Sequence, residues 1–425
     1  MKKTRCFKLA LTLALLMPFV AALAGGLTQS AKAGKGPGVM QAPPLNPFID
    51  IWVDAVDNYN PTVAYNSKHD EYLVVWENDR GATRDIYARR VAGDGTLLSY
   101  FTVVSNANKW NYLPDVAYSP TQDEYLIVYT YQFSASDYDI WARRVKWDGS
   151  WMSAEIAIDK NPGKQWYPAV AYNSQNDEYL VVYENYWAGG LRDIAAQRVR
   201  ASDGALLSWR NIATAPGTVR RLPDVAYNAV SNEYLIAYTY QFQPTDGDIY
   251  GKVASFNLGT LSSEIHIVDN AYDQDGVALA AGSNEYLAVW EDGPSSSYRT
   301  IYGRLVSGAG TLQPFIPIAD HSGQACIEVA AAYGPVYGYL VTWRYIPATS
   351  VWDVYGRYVQ PGQNQAGDNE FAIDNGSDSQ KSPALACGLT GDCLVVEEDN
   401  WPGGDYEIRG RLAMAHHLFL PLVIR

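Results

Sequence analysis

The segment from Pro168 to Glu184, P-A-V-A-Y-N-S-Q-N-D-E-Y-L-V-V-Y-E, is the one whose reading decides the fold. Near copies of it follow one another along the chain. The tyrosine that opens its second half recurs at Tyr72, Tyr125, Tyr179, Tyr234, Tyr286 and Tyr339, and Cys393 holds the seventh place. The intervals are 53, 54, 55, 52, 53 and 54 residues. Self-similarity at a fixed period of this size marks a repeat architecture.

Within one copy, Val170-Ala171-Tyr172 is a short apolar run entered from a proline, and Asn173 to Asp177 is rich in turn formers. Tyr179 to Tyr183 is a second run of aromatic and β-branched residues, which reads as strand rather than helix. Asp193 to Val199 makes a third strand, Asp203-Gly204 a tight turn, and Asn211-Ile212-Ala213 a fourth strand. One repeat is therefore a four-stranded antiparallel meander. A sheet apolar on both faces must stack on a neighbour at each side. The third strand carries a small residue in every copy (Ala88, Ala142, Ala196, Gly251, Gly303, Gly356, Gly410). A ring usually precedes it, so large groups are expected against the bare backbone of the next sheet.

The fourth strand appears six times against seven for the other three, and Phe48-Ile49-Asp50-Ile51 stands at the front in its place. The expected fold is all-β: a seven-bladed β-propeller of four-stranded antiparallel blades, closed by Phe48–Ile51 pairing in the last blade.

The domain reading assigns 1–33 to a signal peptide, 34–47 to a flexible leader, 48–412 to the propeller and 413–425 to an apolar tail. Lys2, Lys3, Arg5 and Lys8 precede an apolar region from Leu9 to Leu23, and Ala31-Lys32-Ala33 offers a small-x-small cleavage site. Removing that segment leaves 27 Lys and Arg against 46 Asp and Glu, a net charge of −19. So acidic a chain will not track a phosphate backbone, which excludes nucleic acid, nor an anionic membrane surface. The tail ending Leu420-Pro421-Leu422-Val423 is too short to span a bilayer. It resembles endings of some exported proteins. The mature chain is expected to be a monomer without a membrane span, secreted or on the outside of the cell envelope.

Export permits disulfides. Aligned on the third copy, Cys387 stands where Tyr172 does and Cys393 where Tyr179 does, directly opposite in the first hairpin, so a Cys387–Cys393 bridge is expected. Cys326 is left as a buried thiol.

The set Val63-Ala64-Tyr65-Asn66, Glu71 to Trp76 and Asp85-Ile86-Tyr87-Ala88-Arg89 resembles a tandem repeat of exported bacterial β-propeller proteins, most without an assigned activity. The resemblance covers nearly all of the mature chain. It implies the fold and no catalytic residue. The Asp-Gly turns at Asp94, Asp148 and Asp203 loosely resemble the Asp-box of sialidase-type propellers, but the Ser-x-Asp-x-Gly-x-x-Trp form is absent.

Three residue sets are candidates for a site. Rings on the connections of one face (Trp110, Tyr112, Trp166, Tyr186, Trp187, Tyr240, Trp352, Trp401) suit sugar rings, with packing between loops as the alternative. The ends of the second strands carry Glu77, Thr130, Glu184, Thr239, Glu291, Arg344 and Glu398, either paired carboxylates for catalysis or bonds to loop amides and to arginines such as Arg89, Arg143 and Arg304. The starts of the first strands carry Asp115, Asp224 and Glu328, which would hold calcium at a channel mouth or simply be solvated. No zinc-ligand spacing, nucleophile elbow, phosphate loop or dinucleotide fingerprint occurs, and no other cofactor is expected. The leading functional reading is a non-catalytic extracellular binding or scaffold module for a glycan or a cell-surface protein. The alternatives are a carbohydrate-active enzyme with paired carboxylates at the channel mouth and a self-assembling envelope protein.

Overall fold

The computed structural model describes residues 43–414, less 107–108, 153, 187–189, 215–216, 244–245, 296–297, 322, 348–350, 368–369 and 401–403. The stretch read as a signal, Trp187, Trp401 and the tail from 415 on lie outside the described residues. Within them there are 28 strands and no helix, hence none long and apolar enough to cross a membrane.

The strands run β1 (Ile49–Trp52), β2 (Asp57–Asn66), β3 (Glu71–Asp79), β4 (Arg84–Ala92), β5 (Leu97–Val104), β6 (Asn111–Ser119), β7 (Glu124–Ser134), β8 (Asp137–Lys146) and β9 (Ile156–Asp159). Next come β10 (Lys164–Asn173), β11 (Glu178–Tyr186), β12 (Arg192–Arg200), β13 (Leu206–Ala213), β14 (Val219–Asn228), β15 (Glu233–Gln243), β16 (Asp246–Ser255) and β17 (Ile265–Val268). The rest are β18 (Asp273–Ala281), β19 (Glu285–Ser295), β20 (Tyr298–Ser307), β21 (Leu312–Ala319), β22 (Ala325–Gly334), β23 (Gly338–Ile346), β24 (Asp353–Val359), β25 (Phe371–Asp374), β26 (Gln380–Cys387), β27 (Cys393–Asn400) and β28 (Tyr406–Ala413).

From β2 on, the strands pair antiparallel in consecutive quartets, β2 to β5 first and β22 to β25 sixth. The last quartet, β26-β27-β28, takes its fourth strand from the front of the chain: β1 pairs with β28, Ile49 opposite Gly410. That contact begins before Phe48. Leu45 bridges Ala413, and the Met414 N–H donates to the Pro44 carbonyl over 3.0 Å, so pairing reaches into the stretch read as leader.

The apolar core is divided among the junctions. Each hydrophobic cluster joins residues of two successive quartets, for example Leu73 and Val75 with Tyr125 and Ile127. One joins the last quartet to the first, Leu394 and Val396 with Val63 and Trp76. No quartet buries its faces alone, as the repeat demands. Together with an axial cavity lined by first strands from successive quartets, this is a β-propeller. The small residues of the third strands are covered differently from the expectation. A Cβ on Gly303 or Gly410 would meet Ile318 or Ile51 of the fourth strand of the same quartet, at 2.8 Å. The cover comes from within the sheet, an isoleucine at these two places and the Phe371 ring at Gly356, not from a ring of the next one.

Candidate functional site

First strands extend further toward the axis than the three-residue apolar run suggests, because each is broken by a bulge. The register shifts in β2, β6, β10, β14, β18, β22 and β26 alike. At that place the backbone turns left-handed: φ is 49° at Asn60, 50° at Leu113, 51° at Tyr167, 51° at Leu222, 60° at Gly276, 54° at Glu328 and 51° at Ser382. Positive φ is uncommon for residues such as Leu and Tyr, so the surroundings must hold it. The bulge also takes backbone N–H groups out of the ladder, and a buried N–H needs another acceptor.

Carboxylates of the preceding quartet supply it. Glu77 accepts from Leu113 N at 2.6 Å, Glu184 from Leu222 N at 2.8 Å, Glu291 from Glu328 N at 2.7 Å and Glu398 from Asn60 N at 2.8 Å. The quartets between them lack an acid at the end of the second strand and use one on the first. Asp115 accepts from Val170 N, Asp224 from Leu279 N and Glu328 from Ser382 N, each at 2.7 Å. The two acidic sets singled out in the sequence thus share one task, accepting a first-strand N–H of the next quartet: at the bulge for Glu77, Glu184, Glu291, Glu398 and Glu328, and just past it for Asp115 and Asp224. Glu328 stands in the bulge itself, where Leu113 and Leu222 are, two residues before the position of Asp115 and Asp224.

These groups line an axial cavity of about 510 Å³, bounded by Asp115, Asp224, Glu291 and Glu328 and by Pro61, Pro114, Pro168, Pro223 and Pro383. Burial pushes Asp115 up to about 6, against hydrogen bonds from Val170, Val116 and Thr62 that favour its charge. Asp224 is raised to about 7 by burial, with the charge of Asp115 adding to it, and Glu291 to about 7 by burial. Arginines temper the second-strand acids: Arg84 lies 2.7 Å from Glu77 and Arg192 lies 3.3 Å from Glu184. Arg89, Arg143 and Arg304 do not serve this ring. They donate to carbonyls of the preceding quartet's fourth strand, Ile51, Val103 and Ile267, at 2.9, 2.7 and 2.7 Å.

The calcium reading of Asp115, Asp224 and Glu328 is not supported. Among the described residues no three His, Cys, Asp or Glu side chains come together to hold a metal ion. The physical reason is that the three acids belong to alternate quartets and each commits an oxygen to a backbone amide. The bridge Cys387–Cys393 is formed, its residues directly opposite across β26 and β27. Cys326 is buried, and burial pushes its thiol up.

The aromatic candidates divide. Trp110, Tyr112 and Trp166 stand at or in first strands, not in loops, and they come together. Ring centroids lie 5.7 Å apart for Trp110 and Tyr112, 5.6 Å for Tyr112 and Trp166, and 4.4 Å for Trp166 and Tyr138. Tyr167, 6.0 Å from Trp166 and 37% exposed, carries the run to the lip of the axial cavity. Tyr138 was missed although it stands at the start of a third strand, a place held by Arg84, Arg192, Gly247, Arg299, Trp352 and Tyr406 in the other copies, of which only Trp352 was singled out. The other rings stand apart from this run, and a cation lies over each as Arg84 does over Trp110 and Tyr112: Arg192 lies 4.4 Å from the Tyr186 ring, Arg220 lies 4.8 Å from Tyr240 and Arg344 lies 4.6 Å from Trp352. Tyr240 also stacks on Tyr250 at 4.7 Å.

No family model and no curated protein matches the chain by sequence. Solved structures do match it. The polysaccharide lyase Uly1 is similar at TM-score 0.55 and 10% identity, over 85% of this chain and 91% of that one. A protein of unknown function from Dyadobacter fermentans DSM 18053 is similar at TM-score 0.52 and 12% identity, over 88% and 99%. The β-propeller domain of the Trilobed protease from Pyrococcus furiosus follows at 0.49 and 8%, over 84% and 92%. At such identities the first two show a shared fold and nothing about activity.

Proposed function

We propose that the chain is an exported, non-catalytic propeller of seven blades, its ring closed by β1, that binds a polysaccharide along the aromatic run beside the axial cavity. The observation that carries this reading is the continuity of Trp110, Tyr112, Trp166, Tyr138 and Tyr167, half-buried to exposed, across two quartets. Half-buried rings of this kind stack on the C–H faces of sugars, while Tyr hydroxyls and Lys164 (5.3 Å from the Tyr138 ring) meet hydroxyl or acidic groups. The similar lyase is named for a polysaccharide substrate, which supports the substrate class. The disulfide suits an oxidising compartment outside the cell. Binding is favoured over catalysis because each cavity acid already spends an oxygen on holding the next quartet.

A second reading, a carbohydrate-active enzyme, draws on Asp224 and Glu291, whose raised carboxyls lie in the range of a general acid. Affinity electrophoresis against a panel of neutral and acidic polysaccharides separates the two. Retardation by at least one polymer, weakened about tenfold by Trp166→Ala with no product released from the polymer, is expected. Binding indifferent to Trp166→Ala, or product release abolished by Asp224→Asn, overturns the binding reading.

A further inference from the structure

The junctions between quartets can be compared position by position, and one of them holds a pocket that another fills from within. Where the last quartet meets the first, Trp52, opposite Ile408 in β28, reaches into the space over Trp76, Tyr87 and Tyr100. Its ring lies 5.5, 5.7 and 4.8 Å from theirs. Its Nε1 donates to Asp54 at 2.9 Å, and Trp76 Nε1 donates to Asn58 at 3.0 Å.

Where the fourth quartet meets the fifth, registers place Trp290 opposite Tyr302 and Phe315 opposite Arg304, as Trp76 is opposite Tyr87 and Tyr100 opposite Arg89. The same three-ring frame is therefore present. The position of Trp52 is taken by Val268, opposite Ile249 in β16. Valine is too small to cover the frame, and a cavity of about 210 Å³ results, lined by Val268, Asn270, Tyr272, Trp290, Asp292, Tyr302 and Phe315. At its floor Trp290 is 1% exposed and stands beside the Asp292 carboxyl, whose charged form it favours. Gln274, buried at the place of Asn58 behind that floor, has its Oε1 unpartnered. At the mouth Tyr272 and Phe315 are 52% and 47% exposed.

We propose that this pocket binds one planar aromatic group of indole size that carries an N–H donor. Size limits the occupant, since the cavity is below the range of drug-sized sites and suits a single ring system. Shape is set by the frame that Trp52 covers at the other junction. Polarity adds direction: the floor offers the Asp292 carboxyl as acceptor, held in place by Asn270 Nδ2 at 3.3 Å and by the Trp290 and Gln274 side chains beside it. The ring arrives either as a free heterocycle or as the tryptophan of another polypeptide. The site is separate from the aromatic run and stands whether or not a polysaccharide binds there.

The test uses the full exported chain with two probes, 5-fluoroindole followed by fluorine NMR and a soluble peptide with a single tryptophan followed by its displacement of 5-fluoroindole. Saturable binding is expected for both probes, and Val268→Trp weakens it about tenfold or more while raising the melting temperature, because the new indole covers the frame as Trp52 does. Phe315→Ala, at the exposed wall, weakens binding without the gain in stability and serves if Val268→Trp does not fold. A peptide about tenfold tighter than 5-fluoroindole assigns the occupant to a polypeptide, and equal affinity assigns it to a free heterocycle. Failure of both probes to bind at millimolar concentration, or binding unchanged in a folded Val268→Trp or Phe315→Ala chain, overturns the proposal.

Discussion

The first and last quartets answer the same positions with different chemistry. Where β2 and β3 set Tyr65 against Tyr72, β26 and β27 set Cys387 against Cys393. Where Trp76 of β3 faces Tyr87 of β4, Glu397 of β27 faces Arg409 of β28. Rings hold the first quartet by area and shape. The last, which borrows a strand from the far end of the chain, is held by a covalent bond and a buried charge cluster. Arg409 pairs with Asp399, lies 3.2 Å from Asp50 on the borrowed strand and 4.0 Å from Asp374. Glu397 is 1% exposed, and burial, with Asp374 and Asp399 beside it, pushes its carboxyl well above the usual range. Buried apolar faces already fix register to the residue, and a buried cation adds the cost of parting it from its acids. The difference teaches that the quartet assembled from two distant segments puts a covalent bond and a charge cluster at places where the first quartet puts rings.

The largest effect that would break or sharpen this contrast is expected from Arg409→Ala. Removing the cation leaves Asp399 and Asp374 buried without it, at a cost of about 3–5 kcal/mol near neutral pH in chemical denaturation. The sign with pH follows from Glu397 and Asp399, both raised in the fold by burial. A carboxyl raised in the fold contributes stability that is present below its unfolded value and lost as pH rises through the folded one. The loss in Arg409→Ala should therefore shrink in acid. Trp76→Ala in the first quartet should cost about 3–5 kcal/mol with no such pH dependence. Parallel pH profiles for the two variants would remove the distinction.

A smaller effect is expected at the bridge. Its cysteines are six residues apart, so reduction or the double Cys→Ser change should lower stability by about 2 kcal/mol, as the chain-entropy account gives for so short a loop. Unchanged denaturation midpoints with and without reductant would show that the bridge adds nothing beyond the ladder.

A pH-dependent effect is expected at the axis. Asp224→Asn keeps one acceptor oxygen for Leu279 N but sets an amide near Val225 N. Because burial lifts Asp224 to about 7, its contribution is present below about pH 4 and lost as pH rises through 7. The variant should be less stable than the natural chain at low pH and recover relative to it as pH rises through 7. A constant difference across that window would mean that Asp224 does not titrate there.

Much of this was legible in the chain. The period places the strands, the alternation of side chains sets Cys387 opposite Cys393, and the unmatched front strand points to β28. The alternation of Glu and Thr at the second-strand ends was visible too, but its cause was not. Glu77 and Leu113, or Asp115 and Val170, are linked only because an N–H at the bulge or just past it in one quartet meets an acid of another. Likewise nothing in the fourth repeat alone marks Val268. Its meaning comes from Trp52 at the equivalent place, and that equivalence needs the pairing of β1 with β28.

By itself, then, the sequence determined what lies within a sheet: strand order, facing residues and the bridge, since these follow from local pattern and a period of two. Only the tertiary structure decided what lies between sheets: the carboxylate contacts around the axis, the run of rings and the pocket at the fourth junction. Those depend on the angle at which quartets meet and on backbone turned left-handed at the bulges. No local propensity encodes either.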